Sequence, residues 1–376
     1  MTVNRQLGTG NWGLATGNMP SLKDLLKEIA ESHRTLTRDE ARSALHAILT
    51  SDPDPAPDAA SDIAIAGLLT GMAARGETVD ELTGFAEAMR ALSLPIPLTS
   101  DERAALLDTC GTGGDGGGTF NISTGAALLA AAAGAKVAKH GNRGITSRCG
   151  SADVLEAMGI PVALTPEQSA ACLRATGFTF LYAPALHPAM KRVQPIRRAL
   201  GFRTIFNLAG PLTNPAGAPV QIMGVYAADK LDTVAGAMAQ LGIRSGRVVH
   251  ARNGIDEIAL SETDSVRIRA SQPPERLSIH PEDAGLPHAP LGHLQGGDTP
   301  QSNAAILEAI LTGAERGPKR DVVLLNAAAA LEAAGLAANL KEGVARASDA
   351  IHSGAARKTL QSLRDFAAAQ KQPIQH

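Results

Sequence analysis

From Ser21 to Ser93, apolar residues return every three or four positions in four successive stretches, "SLKDLLKEIAESH", "TRDEARSALHAILTS", "SDIAIAGLLTGMAARG" and "TVDELTGFAEAMRALS". This period puts an apolar stripe on each segment and predicts four helices packed as an all-α lobe. Thr37 and Thr78 stand where N-caps belong, and Glu81, three residues after Thr78, completes a capping box. Pro95, Pro97 and the polar "TSDE" then mark a linker.

Beyond the linker the texture changes. Short apolar runs, "AALLDTC", "AKVAKHG", "PVAL" and "FTFLYAP", alternate with the helical patterns "STGAALLAAAAG", "GSADVLEAMG" and "TPEQSAACLRATG". Strand and helix in alternation predict a largely parallel sheet with helices on its faces. "HPAMKRVQPIRRALGFRTIFNLAGPLTNPA" interrupts that rhythm as helices and loops returning to the helical lobe. Alternation resumes with "VQIMGVYA", the helix "DKLDTVAGAMAQLG", "RVVHA" and "IDEIAL", and the chain closes in Ala-rich helices, "RDVVLLNAAAALEAAG" and "LKEGVARASDAIHSGAARKTLQSLRDFAAAQ". The expected fold is α/β: a small α-helical domain plus a larger α/β domain with a mostly parallel central sheet. The boundaries expected are a flexible tail over 1–20, a helical domain over 21–95 together with about 184–215, and an α/β domain over 96–183 and 216–376.

Composition narrows the function. The 376 residues are 44% hydrophobic and 19% charged, as in an ordinary globular protein. A net charge of -2, from 35 Lys+Arg and 37 Asp+Glu, gives no electrostatic case for nucleic acid or an anionic membrane surface. Cys110, Cys149 and Cys172 are too widely spaced for a zinc knuckle, and a reducing, cytoplasmic setting is expected. No apolar run approaches a membrane span, and the opening "MTVNRQLGTGNWGLATGNM" lacks the apolar core of a signal peptide.

The glycine-dense stretch "LLDTCGTGGDGGGTFNIST" lies between an expected strand and an expected helix. Such density belongs where the backbone needs positive φ or where a ligand approaches the main chain. Gly111, Gly113 and Gly116 satisfy G-x-G-x-x-G, yet the next strand ends in Lys139 and Arg143 rather than the acidic residue that a dinucleotide ribose needs. The Gly-Lys-Ser/Thr of a P-loop is absent. A bare connector would not need Thr119, Asn121, Ser123 and Thr124 at the next helix start, where free amides and the helix dipole favour phosphate. A second polar cluster, Lys139, His140, Asn142, Arg143, Ser147 and Ser151, falls on a strand end, a loop and a helix start, where open α/β sheets bind ligands. Taken singly such residues are mostly turn formers; facing a glycine loop they read as a site. Asp256 and Glu257 supply the third element: carboxylates able to hold Mg²⁺ against substrate phosphates, with Asp115 able to orient a metal-bound water or a sugar hydroxyl.

Together, "GTGGDGGGTFNIST", "KHGNRGITSRCGSADVLEAMG", "RTIFNLAGPLTNP" and "GIDEIAL" closely resemble, in order, the motifs of the anthranilate phosphoribosyltransferases, enzymes of tryptophan biosynthesis. The resemblance runs from about Ser21 to about Ala369. It implies the fold shared by nucleoside phosphorylases and this phosphoribosyltransferase type, a homodimer associating through the helical domain, and a site in the cleft between the two domains. It implies binding of phosphoribosyl pyrophosphate (PRPP) by Gly111, Gly114, Asp115, Thr119, Asn121, Ile122, Ser123 and Thr124. Lys139, His140, Gly141, Asn142, Arg143, Gly144, Ile145, Thr146, Ser147 and Ser151 would continue that cradle. Gly111, Asn142 and Arg197 would contact anthranilate, and Ser123, Asp256 and Glu257 would hold two Mg²⁺ per subunit.

The implied chemistry needs no nucleophilic side chain: the anthranilate amine displaces pyrophosphate at ribose C1 through a cationic transition state, with positioning and electrostatics as the means. Arg197 suits a carboxylate clamp on bottom-up grounds as well, because guanidinium matches a carboxylate bidentately. Two departures stand out: "HARNGIDE" has Ala251 and Asn253 where the family pattern has Gly and Asp, and "RGITS" has Gly144 and Thr146 where Ala and Ser are usual. The rivals are a pyrimidine nucleoside phosphorylase, which lacks the "KHGNR" cluster and the Asp-Glu pair, and a divergent member acting on another aromatic substrate or on nucleic acid. A purely structural scaffold would not need the full set of polar loops.

Overall fold

The computed structural model describes residues 20–51, 59–144 and 149–370. The expected tail over 1–20 falls outside them except for Pro20, and so do Ile145, Thr146 and Ser147 of the expected cradle.

The first four helices are α1 (Leu22–Ser32), α2 (Arg38–Thr50), α3 (Ala59–Arg75) and α4 (Val79–Ala91). The anticipated caps form: Thr37 accepts from the Glu40 amide and Thr78 from the Glu81 amide, each closing a capping box. The Glu81 carboxylate is buried and also takes a bond from Arg75 and one from the Leu36 amide, tying α3, α4 and the α1–α2 connection together. Within the expected linker "TSDE" winds into a short helix, α5 (Ser100–Ala104), capped by Thr99.

The sheet opens with β1 (Leu106–Asp108), followed by α6 (Ile122–Ala132), β2 (Lys136–Gly141), α7 (Ser151–Ala157), α8 (Pro166–Thr176) and β3 (Phe178–Tyr182). The chain then leaves the sheet through α9 (Ala183–Leu186), a 3₁₀ turn at Pro188–Arg192, α10 (Gln194–Leu200), α11 (Ile205–Ala209) and a second 3₁₀ turn at Gly210–Thr213. The first turn packs on α2, α10 on α3 and α11 on α4, so this excursion does return to the helical lobe. It re-enters at β4 (Val220–Gly224) and continues through α12 (Leu231–Gln240), β5 (Ser245–Ala251), β6 (Thr263–Arg269) and β7 (Glu275–Ile279). Four helices finish it: α13 (Pro300–Thr312), α14 (Pro318–Ala333), α15 (Leu340–His352) and α16 (Ala355–Gln370). No helix among the described residues is long and apolar enough to cross a membrane.

The seven strands lie in the order β3-β2-β1-β4-β5-β6-β7. The first five are parallel, and β6 and β7 are antiparallel. Strand alternation sends neighbouring side chains to opposite faces. Ile222 and Val249 join the core formed with α6, α13, α14, α15 and α16, while Met223 and Val248 join the core shared with α12 and the helical lobe.

Two expected strands do not form. "PVAL" (161–164) is irregular: Pro161 has no amide to donate, and Val162 and Leu164 are buried as loop residues. "IDEIAL" (255–260) is a succession of bends, with Ile255 held by its carbonyl to the Ala251 amide at 3.0 Å.

Candidate active site

β1 and β4 are neighbours whose chains continue to opposite sides of the sheet, and an open parallel sheet forms its binding crevice at the carboxyl ends of such a switch point. Four loops leave that edge: the glycine loop after β1, the loop after β2, the exit from β4 at Gly224, and the Asp256 loop after β5. They surround a cleft of about 850 Å³, closed on another side by Met89 and by residues of the 183–213 excursion.

Gly113 and Gly114 sit at φ of 64° and 75°, consecutive left-handed residues that only glycine adopts without strain. Thr112 donates its amide to the Gly224 carbonyl at 2.9 Å, and Gly113 donates to Asp256 Oδ2 at 2.6 Å. This closeness requires Gly224, whose hypothetical Cβ would stand 1.5 Å from the Asp256 carbonyl. Asp115 braces the loop, accepting from the Gly117 amide at 3.2 Å and the Asp256 amide at 3.3 Å. Gln295 reaches across to the Gly117 carbonyl, and the Gly296 amide to that of Gly118.

At the start of α6 the Ser123 amide donates to Glu257 Oε1 at 2.9 Å, so a carboxylate occupies the positive end of that helix. Asp256 and Glu257 both have pKa values raised above the carboxylate range, by burial first and then by a neighbouring carboxylate, Asp115 for Asp256 and Asp256 for Glu257. Lys139 partly offsets this for Glu257. Its ammonium is buried beneath the loop and donates to the Thr109 carbonyl at 2.8 Å and Oγ1 at 3.1 Å. Asp108, fully buried, accepts from the His140 amide and from Asn214 Nδ2, and burial pushes its pKa up to about 6.

The loop after β2 is closed by Asp153, which accepts from the amides of Gly144 and Gly150 and from Arg143. Arg143 is also paired with Glu156 and lies over the Tyr182 ring. Ser151 donates to the Asn142 carbonyl at 3.2 Å. His140 is buried against His187, the ring centroids being 5.1 Å apart, and its pKa falls well below the ordinary value through burial and then the second imidazole. Burial takes His187 down to about 4. Arg197 on α10 stacks over Phe206 with its Cζ 5.1 Å from the ring centroid, and among the described residues no carboxylate pairs with it. Burial lowers its pKa.

Of the residues expected from sequence, Gly111, Gly114, Asp115, Thr119, Asn121, Ser123, Thr124, Lys139, His140, Gly141, Asn142, Arg143, Gly144, Ser151, Arg197, Asp256 and Glu257 all line this one cleft. Ile122 does not: as the first residue of α6 it turns its side chain fully into the core. Ala251 and Asn253, the two departures of the carboxylate loop, lie behind the cleft, Ala251 in a small apolar cluster and Asn253 bonded to Ser261 Oγ at 3.2 Å. His187, Phe206 and Gln295, not expected from sequence, also line the cleft; Phe206 lies inside the motif "RTIFNLAGPLTNP", while nothing in the local pattern marks His187 or Gln295.

Among the described residues no group of three or more His, Cys, Asp or Glu side chains converges as a ready-made metal cage. The donor set is instead two or three crowded carboxylates with no described cation paired directly to them, which fits a hard divalent ion whose remaining ligands come from phosphate oxygens and water.

The glycosyl transferase family models match in order, the helical bundle domain over residues 23–93 and the a/b domain over residues 103–357. An anthranilate phosphoribosyltransferase of Solibacter usitatus is 49% identical over 352 residues, which is 93% of this chain and 100% of that protein. The crystal structure of anthranilate phosphoribosyltransferase from Thermus thermophilus is 41% identical, covers 92% of this chain and 99% of that one, and superposes with a TM-score of 0.83. A structure of the Saccharomyces cerevisiae enzyme in complex with PRPP and Mg is 28% identical over 93% of this chain and 98% of that one, with a TM-score of 0.84. With both domain models matched in sequence order and one relative matched along its full length, the chain belongs to the anthranilate phosphoribosyltransferase family.

Proposed function

We propose that this protein transfers the phosphoribosyl group of PRPP to the amine of anthranilate, forming N-(5-phosphoribosyl)anthranilate and pyrophosphate, a step of tryptophan biosynthesis. The carrying observation is the division of labour within the cleft. Backbone amides of the glycine loop and the Asp256–Glu257 pair line the α/β side. A half-buried guanidinium with no ionic partner among the described residues, Arg197, lines the side formed by the helical excursion.

In this reading the glycine loop, the α6 start with Ser123 and Thr124, and the Lys139–Ser151 segment cradle the pyrophosphate and ribose phosphate of PRPP. Asn142 and Arg197 hold anthranilate, Arg197 by its carboxylate, so that the amine faces ribose C1. The C1–oxygen bond to pyrophosphate breaks as the C1–nitrogen bond forms, and the departing oxygen takes the electron pair. Loop amides stabilise that developing charge. Ser123, Asp256 and Glu257 would hold Mg²⁺, two ions per subunit, and when bound it supplies charge neutralisation on the leaving pyrophosphate. His140 and His187, kept neutral by burial, line the cleft near Arg197 and add no positive charge there.

We assign residues 21–95 with 184–215 to the helical domain and 96–183 with 216–376 to the PRPP-binding domain. The protein works as a cytoplasmic homodimer joined through its helical domains; Ile63, on α3 and 71% exposed in the single chain, supports that surface. A nucleoside phosphorylase is disfavoured because Asp256, Glu257 and the Lys139–Arg143 cluster all face the cleft.

The test is anthranilate fluorescence with the purified protein. Signal should fall only when PRPP and Mg²⁺ are both present, and EDTA should stop it. Fluorescence that stays constant with folded protein, or falls without PRPP, overturns the assignment.

A further inference from the structure

Gly114 lines the cleft, and among the described residues a single hydrogen bond ties it to the rest of the protein. Its carbonyl accepts from Nη2 of Arg203, in the connection between α10 and α11. Arg203 does not line the cleft and belongs to none of the substrate-binding residues set out above. Its guanidinium lies over the Tyr226 ring, with Cζ 4.3 Å from the centroid. Tyr226 in turn packs on the core shared by the sheet and the helical lobe. Beyond it Lys230 bridges to Glu77, just before α4. A stacked arginine with several fixed donors can be held by a ring and still present a donor to a carbonyl, which the ammonium of lysine cannot do equally well.

The loop it touches needs such support. Gly113 and Gly114 are both left-handed, and glycine gives up more freedom on ordering than any other residue. The neighbouring peptides have their own ties, Gly113 to Asp256 and Gly117 to Asp115, whereas Gly114 depends on Arg203. We propose that Arg203, stacked on Tyr226, is a positioning residue that holds the Gly114 peptide in its ligand-binding orientation and thereby sets the affinity for PRPP. This rests on the phosphoribosyl-transfer reading above. It also makes the α10–α11 connection, which packs with the helical lobe, a direct mechanical support of the phosphate-binding loop.

The experiment compares wild type with Arg203→Ala, Arg203→Lys and Tyr226→Leu. Calorimetry measures PRPP binding with Mg²⁺, initial rates give KM and kcat for each substrate, and thermal melts check folding. Arg203→Ala should weaken PRPP binding and raise its KM about tenfold, while kcat and the anthranilate KM stay within about twofold. Arg203→Lys, keeping a cationic donor, should recover part of the loss, and Tyr226→Leu should raise the PRPP KM a few-fold. Unchanged PRPP affinity in Arg203→Ala, or equal rises in both KM values, overturns the proposal. If Arg203→Ala does not fold, Tyr226→Leu and Arg203→Lys decide, and unchanged PRPP affinity in both counts against it. A wild type that binds PRPP but does not consume anthranilate overturns the functional reading alone, since the binding comparison still judges Arg203.

Discussion

Arg197 is the residue whose state most needs a ligand. A half-buried guanidinium beside Phe206, desolvated enough to lower its pKa and with no carboxylate among the described residues to pair it, is costly, and an aromatic acid would complete it. Arg197→Ala should therefore raise the KM for anthranilate at least about thirtyfold and that for PRPP less than about threefold, as read by steady-state kinetics. Equal effects on both would defeat the clamp. The paired imidazoles make a separate statement about pH. His187 titrates at about 4 in the folded protein against an ordinary value of 6.5, and His140 is shifted in the same direction. Below about pH 6.5 the unfolded chain takes up protons that the folded one refuses, so these groups erode stability as pH falls toward about 4. Melting temperature should decline across that window, and His187→Asn should flatten the decline; an unchanged slope in the variant would remove His187 from the account. Residue types pointed to Asp256 and Glu257, and the family resemblance picked out Arg197 from the several basic residues around it. Neither singled out His187 or Phe206, ordinary residues until the fold sets them beside His140 and Arg197.

Between elements, the geometry of the site depends on how closely β4 and the Asp256 loop can approach. Gly224→Ala places a methyl where the Asp256 carbonyl stands and must push the carboxylates away from the glycine loop. We expect a lower melting temperature and a loss of about a hundredfold or more in turnover, against little change in Gly292→Ala, where a Cβ meets open space. Near-normal turnover in Gly224→Ala would show that the close approach is dispensable. Elements with a strong period were legible in sequence: α1 to α4, with the caps at Thr37 and Thr78, and β1 to β5. β6 was not, because its inward positions include Thr263 and Ser265, and buried polar residues erase the apolar alternation by which a strand is recognised. "PVAL" and "IDEIAL" misled for the opposite reason, being short apolar runs that are buried without pairing.

At the scale of the whole molecule, the two lobes meet along a seam of directional contacts. Arg90 of α4 donates to the Leu241 carbonyl at 3.4 Å, Gln240 to Asp80 at 3.0 Å, and Lys230 pairs with Glu77. A ligand in the cleft touches segments from both sides of that seam and stabilises only the assembled state. PRPP with Mg²⁺ at a hundred times its dissociation constant should add about 2.7 kcal/mol, seen as a higher melting temperature that EDTA abolishes. No shift under those conditions would mean that the cleft does not take PRPP. Local sequence determined the helices, the strands of the parallel sheet and the polar loops at their ends, because period, caps and glycine density act over a few neighbouring residues. Tertiary structure alone decided that loops more than a hundred residues apart share one cleft, that Glu257 meets the start of α6 and that Arg203 reaches Gly114. Those contacts depend on strand order and on lobe packing, which no local pattern encodes.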